Sequence, residues 1–349
     1  MHVLNVLDVN EALPRALAYL RDVGTPEQTR NGPALVAPGP VATVYCRPQQ
    51  RVLFDPARDA NPFFHLFESL WILAGRRDVR FLSMFNSRIA NYSDDGLNYH
   101  AAYGWRLRRA FNSTDQIAVA CDMLRKNPLS RQVVLQIWGS AHDLNIQSKD
   151  LPCNDMVMLR VRKTGDSVAL PSGMVLDITV CNRSNDAIWG AYGANAVQFS
   201  FIQEYIAAHI GVGVGEYTQM SHNMHVYTEN PYWTKWVEHH PSGVHVPDNP
   251  YSGAEGCAIS PLSDMDNFDY DMNKMFSAFD ATTTLDAFQN AMIKSSLKSM
   301  FFTHIVEPML RMYVTREKSY ATDELNSDWL MAGRQWVERR AAAKAGATQ

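Results

Sequence analysis

This 349-residue chain is expected to fold as an α+β protein, and three observations lead there. Helical stretches and apolar strand candidates follow one another irregularly, without the βα alternation of a barrel or doubly wound sheet. No fixed-period repeat occurs, which excludes solenoids and propellers. Hydrophobic residues make up 46%, with 15 Phe, 14 Tyr and 8 Trp, enough for a sizeable core and too many for low-complexity disorder. With 32 basic against 36 acidic residues, the net charge of −4 argues against broad affinity for nucleic acid, while leaving room for a local anion pocket.

The elements follow in order. Residues 8–23 carry apolar positions at helical spacing and stop near Gly24-Thr25-Pro26. Residues 34–54, rich in valine and aromatics and broken by Pro38-Gly39-Pro40, predict a strand pair joined by a turn. After Asn61-Pro62, residues 63–73 are apolar on every side except for Glu68. This predicts a buried helix capped by Gly75. Residues 115–126 predict an amphipathic helix ended by Asn127-Pro128. Strands are predicted at 132–138, 155–162 and 174–182, then a long apolar helix at 196–210. Gly211-Val212-Gly213-Val214-Gly215 lacks the spacing of a phosphate-binding loop and reads as the terminator of that helix. Residues 241–262 predict a surface excursion. Helical segments near 284–315 and 323–344 close the chain, ahead of a frayed tail from Ala341.

Five scattered cysteines with no CxxC pair fit neither a disulfide framework nor a zinc site. The stretch 194–215 is interrupted by Gln198, Gln203, Glu204 and His209, too polar to span a bilayer, and residues 1–8 do not read as a secretory leader. A soluble, reduced, cytoplasmic protein is expected, with no metal, membrane or specific nucleic-acid partner.

Several residues could carry chemistry. Cys153 follows Pro152, which keeps the backbone before it extended; nearby cations would favour its thiolate, and otherwise it is a small core residue. Asn182-Arg183-Ser184-Asn185-Asp186 puts five polar side chains between an apolar strand and an apolar helix. Arginine and serine donors there suit a phosphate or carboxylate, against the alternative of a solvated turn. Arg30 and Arg131 are further anion contacts or plain surface charges. Glu68 must be paired, exposed or raised in pKa, and in the last case can donate a proton or organise water. His225 and Tyr227 share a side if extended, facing a sugar hydroxyl or forming a satisfied core pair. His222 adds no metal-ligand spacing to them.

Taken in order, these pieces resemble the thymidylate synthase and deoxycytidylate hydroxymethylase superfamily, most of all the viral pyrimidine nucleotide hydroxymethylases. Glu68-Ser69-Leu70-Trp71 is similar to the family's Glu-Leu-Leu-Trp, Tyr103-Gly104 to its Tyr-Gly, and Ser130-Arg131 to its Ser-Arg-Arg. Leu151-Pro152-Cys153 resembles the Pro-Cys nucleophile site, and Asn182 to Asp186 the Gln-Arg-Ser-x-Asp. Asn195 through Ile202 resembles the helix headed by the pyrimidine-reading Asn, and His225-Val226-Tyr227 the His-x-Tyr that holds deoxyribose. The matches run over residues 30–235.

The resemblance implies one catalytic domain over 1–349: a large mixed β-sheet flanked by helices, dimerised through the sheet, with 316–349 as a helical extension. It implies that Cys153 adds to carbon 6 of a deoxypyrimidine monophosphate, whose carbon 5 then takes a one-carbon unit from 5,10-methylenetetrahydrofolate. Glu68 and Tyr103 would organise water and proton transfers. Arg30, Arg131, Arg183 and Ser184 would hold the 5′-phosphate, Arg131 reaching in from the partner subunit. Asn195 would read the base, Asn182, His225 and Tyr227 would complete the nucleotide site, and Asp186 and Trp71 would contact folate.

Departures from the pattern bear on the product. Asn154 stands where synthases place His after the cysteine, and Gln132 replaces the second Arg of Ser-Arg-Arg. Residues 86–95 lack the tryptophans that synthases set near the folate, and the C-terminus is an Ala/Lys-rich tail instead of a short apolar closure. Losing that shielding favours water over hydride. A hydroxymethylase making 5-hydroxymethyl-dUMP is therefore expected, ahead of a thymidylate synthase, a dCMP hydroxymethylase, or a non-catalytic nucleotide- or RNA-binding homologue. Asn195 favours uracil, since an amide both donates to and accepts from its carbonyl and imide edge, but reaching it requires one extra residue within 190–194.

Overall fold

The computed structural model describes residues 1–164, 173–252, 257–318 and 327–346. Ten strands are present among them: β1 (His2–Val6), β2 (Thr25–Thr29), β3 (Gly32–Val36), β4 (Val41–Tyr45), β5 (Val134–Gln136), β6 (Asn154–Lys163), β7 (Met174–Asn182), β8 (Asn185–Asp186), β9 (Gly213–Ser221) and β10 (Met224–Tyr227). They form a six-stranded mixed sheet in the order β1-β4-β9-β7-β6-β5 and a four-stranded sheet in the order β2-β3-β10-β8. The α+β expectation therefore holds.

The predicted strand pair in 34–54 is corrected. β3 and β4 both exist, yet they belong to different sheets, because Pro38-Gly39-Pro40 passes the chain from one sheet to the other. β3 pairs with β10 and β4 with β9, partners some 180 residues downstream that no local pattern announces. The terminator reading of 211–215 is half right. Gly211 ends the helix at φ +73°, whereas Gly213 and Gly215 lie in β9, which runs through the middle of the large sheet. A Cβ on Gly215 would stand 2.1 Å from Asp177 Oδ1, so close packing of β7 on β9 requires glycine there.

Helices follow in chain order: α1 (Val9–Val23), α2 (Pro62–Leu73), α3 (Val79–Ser83), α4 (Tyr103–Trp105), α5 (Gln116–Lys126), α6 (Ser140–Asp143), α7 (Ala196–Ile210), α8 (Pro231–His239), α9 (Met265–Asp280), α10 (Leu285–Ile293), α11 (Glu307–Thr315) and α12 (Asp328–Gly346). Asp8, Asn61 and Asp115 cap α1, α2 and α5 by accepting backbone N–H bonds. The helix predicted at 284–315 divides into α10 and α11, with a π-helical turn at Phe302–Val306 leading into the latter. The onset predicted at 323 lies outside the described residues, as does part of the 241–262 excursion. The tail is corrected as well. Helix α12 runs on to Gly346 and packs on α2 through Trp336 against Phe63, with ring centroids 5.4 Å apart.

Helices α2 and α7 are buried along their whole length or nearly so, which is why apolar residues occur on every side of both. They pack on each other, and α7 lies on β7 and β9. The third piece of this layer, α4, approaches α2 so closely that a Cβ on Gly104 would sit 2.1 Å from the Ile72 carbonyl oxygen. That approach sets Tyr103 relative to the helix carrying Glu68. Gly104→Ala is expected to cost about 1–3 kcal/mol in urea unfolding and to lower turnover, because both helices must move apart. An unchanged unfolding midpoint would contradict this packing.

Candidate functional site

Cys153 stands one residue before β6, where Asn154 pairs with Asn182 of β7, so the cysteine lies opposite Arg183. The Arg183 backbone N–H donates to the Cys153 carbonyl at 2.9 Å. Its guanidinium turns back on the loop, donating from Nε to the Pro152 carbonyl at 2.8 Å and from Nη2 to Leu151 at 3.2 Å. One arginine thus fixes the loop that aims the thiol and brings positive charge to it. The register slips between Asn154 and Met156, a bulge that leaves the start of β6 free of strict pairing. Burial pushes the Cys153 thiol up. Arg183 opposes that most strongly, Asp150 and Asp155 add to it, and Arg30 pulls down again. Arg30, in the β2–β3 turn, is thus close enough to the sulfur to act on it electrostatically.

Glu68 is 8% exposed, and burial pushes its carboxyl up to about 7, with the Gln198 amide opposing. A group poised there can both give and take a proton near neutrality. Its Oε2 has no hydrogen-bond partner among the described residues. Tyr103 lies against the Cys153 backbone and the Asn154 side chain, and burial lifts its phenol well above the ordinary value, so it stays a hydrogen-bond donor. Its ring packs near Phe199 at 6.0 Å.

Asn195 ends a π-helical segment, Ala187–Asn195, that leads directly into α7. A π-turn holds more residues than an α-turn, so the chain widens just before Asn195. The Asn195 side chain is fully oriented. Its Oδ1 accepts from Asn154 Nδ2 at 3.2 Å and its Nδ2 donates to Asn185 Oδ1 at 3.0 Å; Asn185 in turn donates to Ser221 Oγ at 3.0 Å. Neither Asn154 nor Asn185 was assigned a role from sequence. In the sequence Asn154 stands out only as the replacement for a histidine and Asn185 only as part of the polar run 182–186.

The remaining assignments divide. His225 and Tyr227 lie on β10, with rings 5.0 Å apart, and Asn31 donates to the Tyr227 hydroxyl at 3.2 Å. Burial holds His225 below its ordinary value, with Asp186 opposing, and the two side chains are neighbours across β8 and β10. Asp186 accepts from the N–H groups of Ile188 and Trp189, and burial raises its carboxyl. Beside it Trp189 is 60% exposed with the Arg58 guanidinium 4.1 Å over its ring, an aromatic surface that sequence reasoning missed. Ser184 is half-buried between Arg183 and Asn185. Asn182 spends its amide N–H on the Met220 carbonyl at 3.1 Å, tying β7 to β9. Trp71 offers folate no surface: it is 3% exposed and donates its indole N–H to Asp78. Arg131 lies with Ser130, Arg160 and Arg162 in a cavity of about 440 Å³ at the edge of the large sheet, lined by none of the other predicted residues. Among the described residues no group of three or more His, Cys, Asp or Glu could hold a metal ion, and no helix is long and apolar enough to cross a membrane.

The family model of thymidylate synthase matches residues 63–243, which hold Glu68, Tyr103, Cys153, Arg183 and Asn195. A deoxyuridylate hydroxymethyltransferase of Pseudomonas phage M6 is 39% identical over 98% of this chain and 95% of its own length. A protein of the same name from Bacillus phage SP01 is 39% identical over 55% of this chain and 50% of its own. A thymidylate synthase of Streptococcus pyogenes is 30% identical over 36% of this chain and 42% of its own. On the similarity and the site together, this chain belongs to the thymidylate synthase family.

Proposed function

We propose that the chain is a deoxyuridylate hydroxymethyltransferase, converting dUMP to 5-hydroxymethyl-dUMP by one-carbon transfer and hydration. The observation that carries this reading is the Cys153 loop strapped by Arg183 and faced by Tyr103, in a chain similar over 98% of its length to a phage enzyme of that name. Arg183, Ser184 and Arg30 hold the 5′-phosphate, and His225 and Tyr227 hold the sugar. Asn195, oriented by two neighbouring amides, has one lone pair on Oδ1 and one N–H left for the uracil edge. The sulfur adds to carbon 6 and makes carbon 5 a nucleophile. The co-substrate 5,10-methylenetetrahydrofolate supplies the carbon. The exposed Trp189 face beside Asp186 fits a flat, hydrogen-bonding ring of that kind. Glu68 moves the protons, as its pKa near neutrality suits.

Incubation with dUMP and methylenetetrahydrofolate should give a hydroxymethyl nucleotide and tetrahydrofolate. A methyl nucleotide with dihydrofolate would make it a synthase, and turnover of dCMP alone would overturn the uracil reading.

The enzyme is further proposed to work as a homodimer joined through the large sheet. Helices α5 and α7 cover one face of that sheet. On the other, Val134, Met156 and Met158 are 53%, 40% and 37% exposed on adjacent strands β5 and β6, an apolar patch suited to a second copy. The Arg131 cavity adjoins this face, so pairing would let Arg131 reach the partner's phosphate. Sedimentation at the 39.4 kDa monomer mass would remove this part of the reading.

A further inference from the structure

Hydration of the one-carbon group needs a water held with its lone pair free, and one of the chain's departures from the synthase pattern, Asn154, stands next to Cys153. Asn154 is fully buried, beside Cys153 and against Tyr103, and its Oδ1 has no hydrogen-bond partner among the described residues. Among the other buried acceptors in that condition, Gln198 Oε1 and Glu68 Oε2 belong to residues that can be traced from Asn154. Asn154 donates to Asn195, Gln198 follows Asn195 by three residues on the same helix face, and the Gln198 amide lies beside Glu68. Buried acceptors without partners are costly unless something donates to them. A water that donates both hydrogens to such acceptors keeps an oxygen lone pair directed away from them. A histidine N–H in place of Asn154 would occupy that lone pair instead.

We propose that Asn154 is a specificity-determining residue that commits the enzyme to hydration, by accepting a hydrogen bond from the water that attacks the exocyclic methylene of the covalent intermediate. This rests on the hydroxymethyltransferase reading and names the residue that decides its last step. The water oxygen bonds to the methylene carbon, and the methylene π electrons pass into the ring as the carbon 4 enolate. The water's proton goes to Glu68. The enolate then re-forms the carbonyl and the carbon 5–carbon 6 double bond, expelling the Cys153 thiolate, so no oxidant or reductant is consumed.

Single turnovers with dUMP tritiated at carbon 5 separate the two halves, since tritium leaves before water adds. In Asn154→Ala, hydroxymethyl formation should slow at least tenfold more than tritium release, and protein carrying nucleotide plus one carbon should accumulate. Asn154→Asp, which keeps an acceptor, should bring the two rates back together. Asn154→His should behave like alanine, and it serves in its place if the alanine variant releases no tritium. A ratio of the two rates that stays at the wild-type value in both the alanine and histidine variants overturns the proposal, however slow they are. Wild-type enzyme that makes thymidylate would instead overturn the reading on which it rests.

Discussion

Replacing Cys153 with serine should lower hydroxymethyl-dUMP formation on the order of 10⁴-fold, because losing the nucleophile removes the covalent route and leaves only the binding groups. Those groups are separate side chains. Arg183 and Arg30 keep their positions, since Arg183 is held by backbone carbonyls of Leu151 and Pro152 and not by the sulfur. Equilibrium binding of dUMP by the variant should therefore persist while tritium release from carbon 5 disappears. Of the other cysteines, Cys121 is pushed up to about 11 and Cys257 to about 12, both by burial, and neither has Arg183 beside it. Retained tritium release in Cys153→Ser would mean that another group attacks the base.

Glu68→Gln should separate activity from stability. Turnover should fall ~10²–10⁴-fold, the usual worth of a positioned acid–base group. Stability should move the other way. A free glutamic acid titrates near 4.5, and burial raises Glu68 to about 7. Between these values the folded protein holds a proton that the unfolded chain has lost, so this group's contribution weakens as pH rises from ~4.5 to ~7 and is lost above that. Glutamine carries no such charge. Relative to the wild type, the variant should gain stability across that window, by at most about 3 kcal/mol. Urea unfolding of both proteins on either side of the window measures the difference. An equal gap at acid and alkaline pH would show that the carboxyl is not held protonated by burial.

Local features were legible wherever a run of residues carried its own punctuation. Helix α7 begins after the polar cluster ending in Asp186 and stops at Gly211, and β7 occupies its predicted residues 174–182. Helix α2 announces itself by Asn61-Pro62 and its lone acid. The middle strand β9 was missed because its glycines hide a strand pattern whose reason, contact with Asp177, lies on another strand. β1, β2, α8 and α9 were also missed. β2 is exposed at four of its five residues, so no buried face shows as alternation. In the candidate site, Cys153, Arg183 and Glu68 stand out in the sequence because each is chemically distinct from its surroundings. The relay from Asn154 through Asn195 and Asn185 to Ser221 could not, since it joins residues far apart by hydrogen bonds between side chains of ordinary types. Trp71 shows the opposite error: a motif position whose ring the core consumes.

Acid quenching during turnover with dUMP and methylenetetrahydrofolate, followed by peptide mass mapping, interrogates the covalent step itself. The mass of the nucleotide, with or without the added carbon, should appear on the peptide holding Cys153 and on no other. Product forming while that peptide stays unmodified, or the nucleotide mass on the peptide of Cys46, Cys121, Cys181 or Cys257, would contradict the assignment.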